Sequence, residues 1–180
     1  LGQHSLYLLF GHEYTRDNNG TLGAAKSNIV NYAANKELDG AVTLLSAEGY
    51  TSIYNVEGWF FRANYDYASR YFASFSFRRD GSSHFSPDHR WGNFWSLGGA
   101  WIMNKEPWFP KTGWIDQLKL KASYGEQGND NIGEFRYTDF YKITTANGKP
   151  ALSFSQKGKD DITWEKNGNI NLGVEFKMFN

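Results

Sequence analysis

The chain has 180 residues, and its 19 basic groups balance 19 acidic ones, so no net field draws it to nucleic acid. It contains no cysteine, which excludes disulfides, thiolate zinc sites and cysteine nucleophiles, and no run of about 18 apolar residues, which excludes a membrane-crossing helix. Aromatic residues make up 18% of it and the mean hydropathy is negative, a combination open to strands that are apolar only at alternate positions.

Period two dominates wherever a pattern can be read, so the predicted elements are strands. SLYLLFGHEY (residues 5–14) is the first, apolar on both faces. A polar loop is expected over 13–52, with room for a short helical turn in NIVNYAANKELDGAVTLLSAEGY. WFFRANYDY then sets Trp59, Phe61, Ala63, Tyr65 and Tyr67 against Arg62, Asn64 and Asp66. After the tight hairpin YASR, YFASFSFRR opposes Tyr71, Ala73, Phe75 and Phe77 to Ser74, Ser76 and Arg78. A polar loop over 80–91 leads to FWSLGGAWI, with Trp95, Leu97, Gly99 and Trp101 together. A connection over 103–116, carrying Pro107, Trp108, Pro110 and Trp114, leads to LKLKASY. There Leu118, Leu120, Ala122 and Tyr124 oppose Lys119, Lys121 and Ser123. A third polar loop, 128–160, precedes ITWEKNGNINLGVEFKM, where Ile162, Trp164, Ile170, Leu172, Val174, Phe176 and Met178 share a face. Its other face carries Thr163, Glu165, Asn167, Asn169, Asn171, Glu175 and Lys177.

If these six strands run up and down, the three polar loops gather at one end and the two other connections at the opposite end. Outer-membrane barrels sort their loops this way. The parity alone leaves two environments open: a soluble β-sandwich with a covered apolar face, such as a secreted carbohydrate-binding module, or a barrel with that face in lipid. Two features bear on the choice. The last strand alternates for about 17 residues, beyond the usual 3 to 10, which favours the barrel. Trp95 and Trp101 lie roughly 20 Å apart along one strand, close to the spacing of two aromatic girdles but equally open to two core tryptophans. Six strands are too few to close a barrel, so the expected fold is an all-β, antiparallel up-and-down segment of a larger wall.

The residues themselves resemble a known family. ANYDYASRYFASFSFRRDGSSHFSPDHRWGNFWSLGGAW, WIDQLKLKASYGEQGNDNIG and ITWEKNGNINLGVEFKMFN are similar, in order and spacing, to the C-terminal barrel region of SusC/RagA-type TonB-dependent outer-membrane transporters of Bacteroidetes. The similarity covers roughly residues 53–135 and 160–180. Ile102, Met103, Glu126 and Gln127 depart from the family's pattern, and residues 13–50 and 136–159 match nothing in it, as expected of variable outer loops. The resemblance implies a 22-stranded, multi-pass barrel in the outer membrane, plugged by an N-terminal domain. It implies import of oligosaccharides or peptides driven by the TonB complex, with a SusD-like surface lipoprotein as partner and outer-membrane lipid around the wall. On that reading the chain is an excerpt, with the plug, TonB box and remaining strands elsewhere. It carries no leader-like opening segment.

No catalytic set is present: no nucleophile elbow, P-loop or dinucleotide fingerprint occurs, so neither an enzyme nor a cofactor is expected. His4, His12, His84 and His89 lack a carboxylate cluster at ligand spacing, so no metal site is expected. RDNNGT (residues 16–21) and GNDNIG (residues 128–133) lack the calcium-loop spacing and read as turns. The candidates for function are the polar positions expected to face a lumen: Arg62, Asn64, Ser74, Ser76, Arg78, Lys119, Lys121, Asn169 and Asn171. In the expected outer loops, Tyr32, Tyr50, Tyr137 and Tyr141 are the candidates to stack on a sugar ring or grip a peptide side chain.

Overall fold

In a computed structural model, which describes residues 2–111 and 113–179, the chain is built of strands. They are β1 (His4–Ile29), β2 (Ala41–Tyr67), β3 (Tyr71–Ser82), β4 (Trp91–Ile102), β5 (Ile115–Asn129), β6 (Phe140–Ala146), β7 (Lys149–Gln156) and β8 (Glu165–Met178). Six of them form one sheet in the order β1-β2-β3-β4-β5-β8, while β6 and β7 pair only with each other. Compact units divide the chain into Leu1–Tyr14 with Val56–Asn180, and Thr15–Asn55. No helix among the described residues is long and apolar enough to cross a membrane.

In the larger unit the register carries the alternation of each strand into the next. Tyr65, Ala73, Gly99, Ala122 and Leu172 are successive partners across five strands. So are Tyr67, Tyr71, Trp101, Leu120 and Val174. One residue over, Asn64, Ser74, Gly98, Ser123 and Asn171 form a row on the opposite face. Paired residues share a face, so five separate alternations add up to one apolar and one polar surface.

The apolar surface is not a core. Leu172, Ile170 and Val174 are 81%, 74% and 66% exposed, and among the described residues the buried hydrophobic side chains are Ala41, Phe85 and Phe94. A sandwich would have to cover this face with a second sheet. The six-stranded sheet has no such cover among the described residues, so the soluble reading is not favoured.

Several sequence expectations change. The loop expected over 13–52 is mostly strand, because β1 runs to Ile29 and β2 begins at Ala41. RDNNGT is therefore part of β1, not a turn. In that smaller unit the chain reverses over 30–40 through Val30 N–H donating to the Gly40 carbonyl, a 3-10 turn at Leu38–Gly40, and Asn35 Oδ1 accepting from Glu37 N–H. Two long strands satisfy each other's backbone groups without needing alternation, which is why the side-chain pattern there did not reveal them. The last strand starts at Glu165, so Ile162 and Trp164 precede it. The expected loop 128–160 contains the β6–β7 hairpin, whose turn is Asn147–Gly148, both at positive φ (51° and 73°). Asn-Gly between two strand-forming runs is the strongest local hairpin signal, and it was available in ITTANGKPAL.

Candidate functional site

The polar face is built from small and charged side chains in register. Arg62, Ser76, Ser96, Gly125 and Asn169 make one row, above the Asn64–Asn171 row. Ser76 and Ser96 hydroxyls lie 2.6 Å apart, and a Cβ on Gly98 would fall 2.7 Å from Ser74 Oγ, so the rows pack closely between neighbouring strands. Small residues leave a concavity of ≈ 570 Å³ on this face, lined among others by Ser5, Asn64, Ser74, Ser123 and Asn171. Lys121 and Lys119 both reach Glu175 on β8, the latter at 3.9 Å, and Lys119 Nζ lies 5.4 Å from the Phe72 ring centre. Arg78 donates to both oxygens of Asp80, Nε to Oδ2 at 3.0 Å and Nη2 to Oδ1 at 2.9 Å, and also to Glu13 on β1. All nine polar candidates therefore lie on one face. Arg78, Lys119 and Lys121 are tied into ion pairs within the wall, whereas Arg62, Asn64 and Asn171 are exposed.

The four tyrosine candidates are not brought together. Tyr32 sits in the turn over 30–40, and Tyr50, expected in a loop, lies on β2. Both are exposed, and Lys36 Nζ stands 5.5 Å from the Tyr32 ring. Tyr137 is in the turn before β6 and Tyr141 is on β6 rather than in a loop. Tyr141 is paired with Phe154 at 5.6 Å between ring centres.

The apolar face is bounded by aromatic clusters. At the end with the short connections, His4, Tyr67, Tyr71, Trp101 and Trp108 follow one another at 4.8, 6.2, 6.2 and 6.0 Å between ring centres. Trp114 and Phe176 continue on β8's side at 6.1 Å from each other. Toward the polar-loop end, His12 and Phe10 flank Trp59, and Trp95 meets Tyr124. Alanine, glycine and aliphatic residues, with Tyr65 and Phe75 among them, fill the band between.

Below the first cluster, two connections are tied together. Glu106, its side chain 6% exposed, takes Arg70 Nη1 at 3.2 Å and the Trp101 indole N–H at 3.0 Å. Lys105 Nζ donates to the Ser69 carbonyl at 2.8 Å, in a turn where Ala68 and Ser69 both hold φ above 50°. The Tyr71 hydroxyl first, then the Trp101 indole, with Arg70 also contributing, hold the Glu106 carboxyl below the ordinary carboxylate range. A depressed native pKa means that unfolding takes up a proton, so this stabilisation is present above the ordinary carboxylate pKa and is lost as pH falls through the lowered one. Glu106→Gln is therefore expected to flatten the acid limb of the thermal-midpoint-versus-pH curve of the detergent-solubilised protein. An unchanged acid limb would show that Glu106 does not carry it.

The segment between β3 and β4 falls in the polar loop expected over 80–91. It holds the most deeply buried large side chain among the described residues: Phe85 is 0% exposed, and Ser82 at the loop's entry 1%. Phe85 and Phe94 each lie 5.4 Å from Trp164, whose indole N–H donates to the Arg90 carbonyl at 2.8 Å. Trp164 thus leaves the apolar face, where its parity had put it, for this small core. Gly92 and Gly128 make room, since a Cβ on either would enter the Phe94 ring. Ser82 Oγ donates to Asp130 Oδ2 at 2.6 Å, Ser86 Oγ to the Asp160 carbonyl at 2.8 Å, and Thr163 Oγ1 to the His89 carbonyl at 2.8 Å. His84 Nδ1 is 2.8 Å from the Asp130 carbonyl. These contacts tie the loop to the segments around Asp130 and Asp160, while Arg90 Nε is buried without a hydrogen-bond partner. Among the described residues no group of three or more potential metal ligands assembles.

Comparison with known proteins agrees with this architecture. TonB-dependent receptor P3 of Formosa agariphila is 30% identical over 183 residues, which cover 99% of this chain and 18% of the relative. TonB-dependent receptor SusC of Bacteroides thetaiotaomicron is 31% identical over 139 residues, 73% of this chain and 14% of SusC. The solved RagAB peptide transporter superposes with a TM-score of 0.83 at 28% identity, over 99% of this chain and 20% of that one. The RagAB peptide importer in the 'closed-closed' state gives 0.84 over the same shares. No protein-family model matches. The chain spans between about a seventh and a fifth of the length of these relatives. Sequence identity along nearly the whole chain and a common barrel-wall fold lead to one conclusion: this chain belongs to the SusC/RagA-type TonB-dependent outer-membrane transporters.

Proposed function

We propose that this chain is part of the wall of an outer-membrane importer that takes up oligosaccharides or peptides with energy from the TonB complex and works with a SusD-like surface lipoprotein. The observation that carries the reading is the one-sided sheet: an exposed apolar face between two aromatic clusters, backed by a continuous polar face. On this reading lipid meets the apolar face, and the polar face lines the lumen. Within the lumen, Arg62, Asn64, Ser74, Asn169 and Asn171 are available to solute or plug, while Ser76 bonds its neighbour in the wall and Arg78, Lys119 and Lys121 serve it through their ion pairs. Solute grip falls to four tyrosines, Tyr137 and Tyr141 in the larger unit and Tyr32 and Tyr50 in the smaller. The solved relatives named as peptide importers support this class of cargo, and SusC supports the family's partnership. The test is uptake of labelled oligosaccharide and labelled peptide by cells with and without the transporter, in the presence and absence of TonB. Uptake that needs both is expected; transporter-dependent uptake that survives loss of TonB would overturn the reading.

A further inference from the structure

Two adjacent arginines on β3 belong to opposite faces and meet different surroundings. Arg78, on the polar face, is held by the carboxylates of Asp80 and Glu13. Arg79, on the apolar face, stands in register with Trp59 on β2 and Asn93 on β4. It is exposed, and among the described residues it has no ion pair. Its guanidinium carbon lies 5.3 Å from the ring centre of Trp91. The carboxylates on the same face at this end are engaged elsewhere. Glu57 accepts from His12 Nε2 at 3.1 Å and from the Trp59 indole N–H at 3.3 Å. Glu126, two strands away on β5, accepts from the Tyr124 hydroxyl at 3.4 Å.

Position decides what can answer this charge. Arg79 lies eight residues from Tyr71, which belongs to the aromatic cluster at the other end of the sheet. That is about 27 Å along the strand and about 20 Å along the membrane normal once the strand tilts. The apolar band is about 25 Å tall, so a guanidinium on its long stem reaches headgroup level, where Trp59 and Trp91 also sit comfortably. β3 has two strands on one side of it and three on the other, so the wall around Arg79 is complete. The lumen and whatever fills it lie behind the sheet. A counter-charge for Arg79 therefore comes from what lies against the outside of the wall, and an unpaired arginine at the edge of such a face points to a partner there. An indole beside the guanidinium leaves its N–H fork free to take a phosphate with two donors.

We infer that Arg79, seated against Trp91 and beside Trp59, binds a phosphate on the headgroup of an outer-leaflet lipid of the phosphorylated glycolipid class. This rests on the transporter reading above, which puts the apolar face in lipid and the polar-loop end outside, and adds to it a specific lipid contact. The guanidinium and phosphate attract each other more strongly at the edge of the hydrocarbon than in open water, and the two indoles keep water off one side of the pair.

The test uses the full transporter, taken from outer membranes into detergent and washed free of native lipid. The probes are monophosphoryl lipid A, the same lipid with its phosphate removed, and inorganic phosphate, with bound lipid read by native mass spectrometry. The unsubstituted protein is expected to retain the phosphorylated lipid about fivefold better than the dephosphorylated one. Arg79→Gln is expected to erase that preference and Trp91→Leu to weaken it about twofold, with the heat-dependent electrophoretic shift of the folded barrel unchanged. Millimolar inorganic phosphate is expected to leave the lipid in place. Equal retention of both lipids, a preference that survives Arg79→Gln, or displacement of the lipid by inorganic phosphate would each overturn the inference and leave the transporter reading standing. A chain that never appears in the outer membrane as a folded barrel would bring down that reading, and the inference with it. Should Arg79→Gln fail to assemble, Arg79→Met removes the charge with a side chain suited to lipid and decides in its place.

Discussion

Leu172→Arg is expected to block assembly of the transporter into the outer membrane, while Asn171→Arg is expected to assemble and migrate as a folded barrel. The two positions are neighbours on β8 and differ only in face. Leu172 ends the row Tyr65–Ala73–Gly99–Ala122, between the aromatic clusters, and Asn171 ends the row Asn64–Ser74–Gly98–Ser123. An arginine facing lipid near mid-membrane costs about 2–4 kcal/mol, whereas one facing a wet lumen keeps its hydration. The substituted chains can be compared by heat-dependent electrophoretic mobility and by the amount reaching the membrane. Equal behaviour of the two variants would show that the faces are wrongly assigned, and Leu172 impaired less than Asn171 would invert them. Because both lie on the same strand, a general intolerance of charge in β8 cannot imitate the expected difference.

Phe85→Ala is expected to be the most disruptive single truncation outside the sheet. The ring is fully buried against Trp164, and removing such a side chain costs about 3–5 kcal/mol through lost transfer energy and the cavity left behind. The loss falls on the junction of the β3–β4 loop with the segments entering and leaving the β6–β7 hairpin. Strand pairing from β2 to β8 does not depend on it, so the barrel should still form. Hydrogen exchange is expected to accelerate over residues 82–90 and 160–164, and protease cleavage should rise between Asp130 and Asp160. Trp164 fluorescence should shift to the red as water reaches the indole. Unchanged protection over those segments would mean that the contacts around Phe85 follow the loop's geometry rather than hold it.

The two outcomes bear on different levels of the molecule. The first concerns a surface that solvent chemistry assigns, the second a joint that packing assigns, and they were unequally visible in the residue string. Alternation in WFFRANYDY, YFASFSFRR, LKLKASY and NINLGVEFKM assigned every polar candidate to its face, because in a strand the face follows from parity alone. Parity cannot say which residue of another strand stands opposite. That Ser76 meets Ser96, or that Lys119 and Lys121 share Glu175, depends on register set by turns distant in sequence. Tyr50 and Tyr141 were misplaced for a related reason. Ala41–Asn55 is exposed over most of its length, so nothing imposes alternation there, and the alternation of FYKITTA is too short to stand out within a long polar connection.

The β3–β4 loop marks the limit most clearly. Gly, Ser, Asp and Pro in RRDGSSHFSPDHRWG describe a turn, and a turn it is. Nothing local distinguishes Phe85 from a solvent-exposed ring, since its partner Trp164 is 79 residues away. The same holds for Glu106, whose proline- and tryptophan-rich surroundings hide a contact to Arg70. By itself, then, the sequence determined that this is an all-β chain of two-faced strands with an apolar side too long and too aromatic for a water-facing sheet. It also determined the resemblance that places those strands in a transporter wall. Only the tertiary structure decided which polar groups are already paired, which loop is a packed joint and which of two adjacent arginines is left without a carboxylate. The division has a simple physical origin: a strand's period is written in consecutive residues, while packing joins residues that only the closed fold brings within reach.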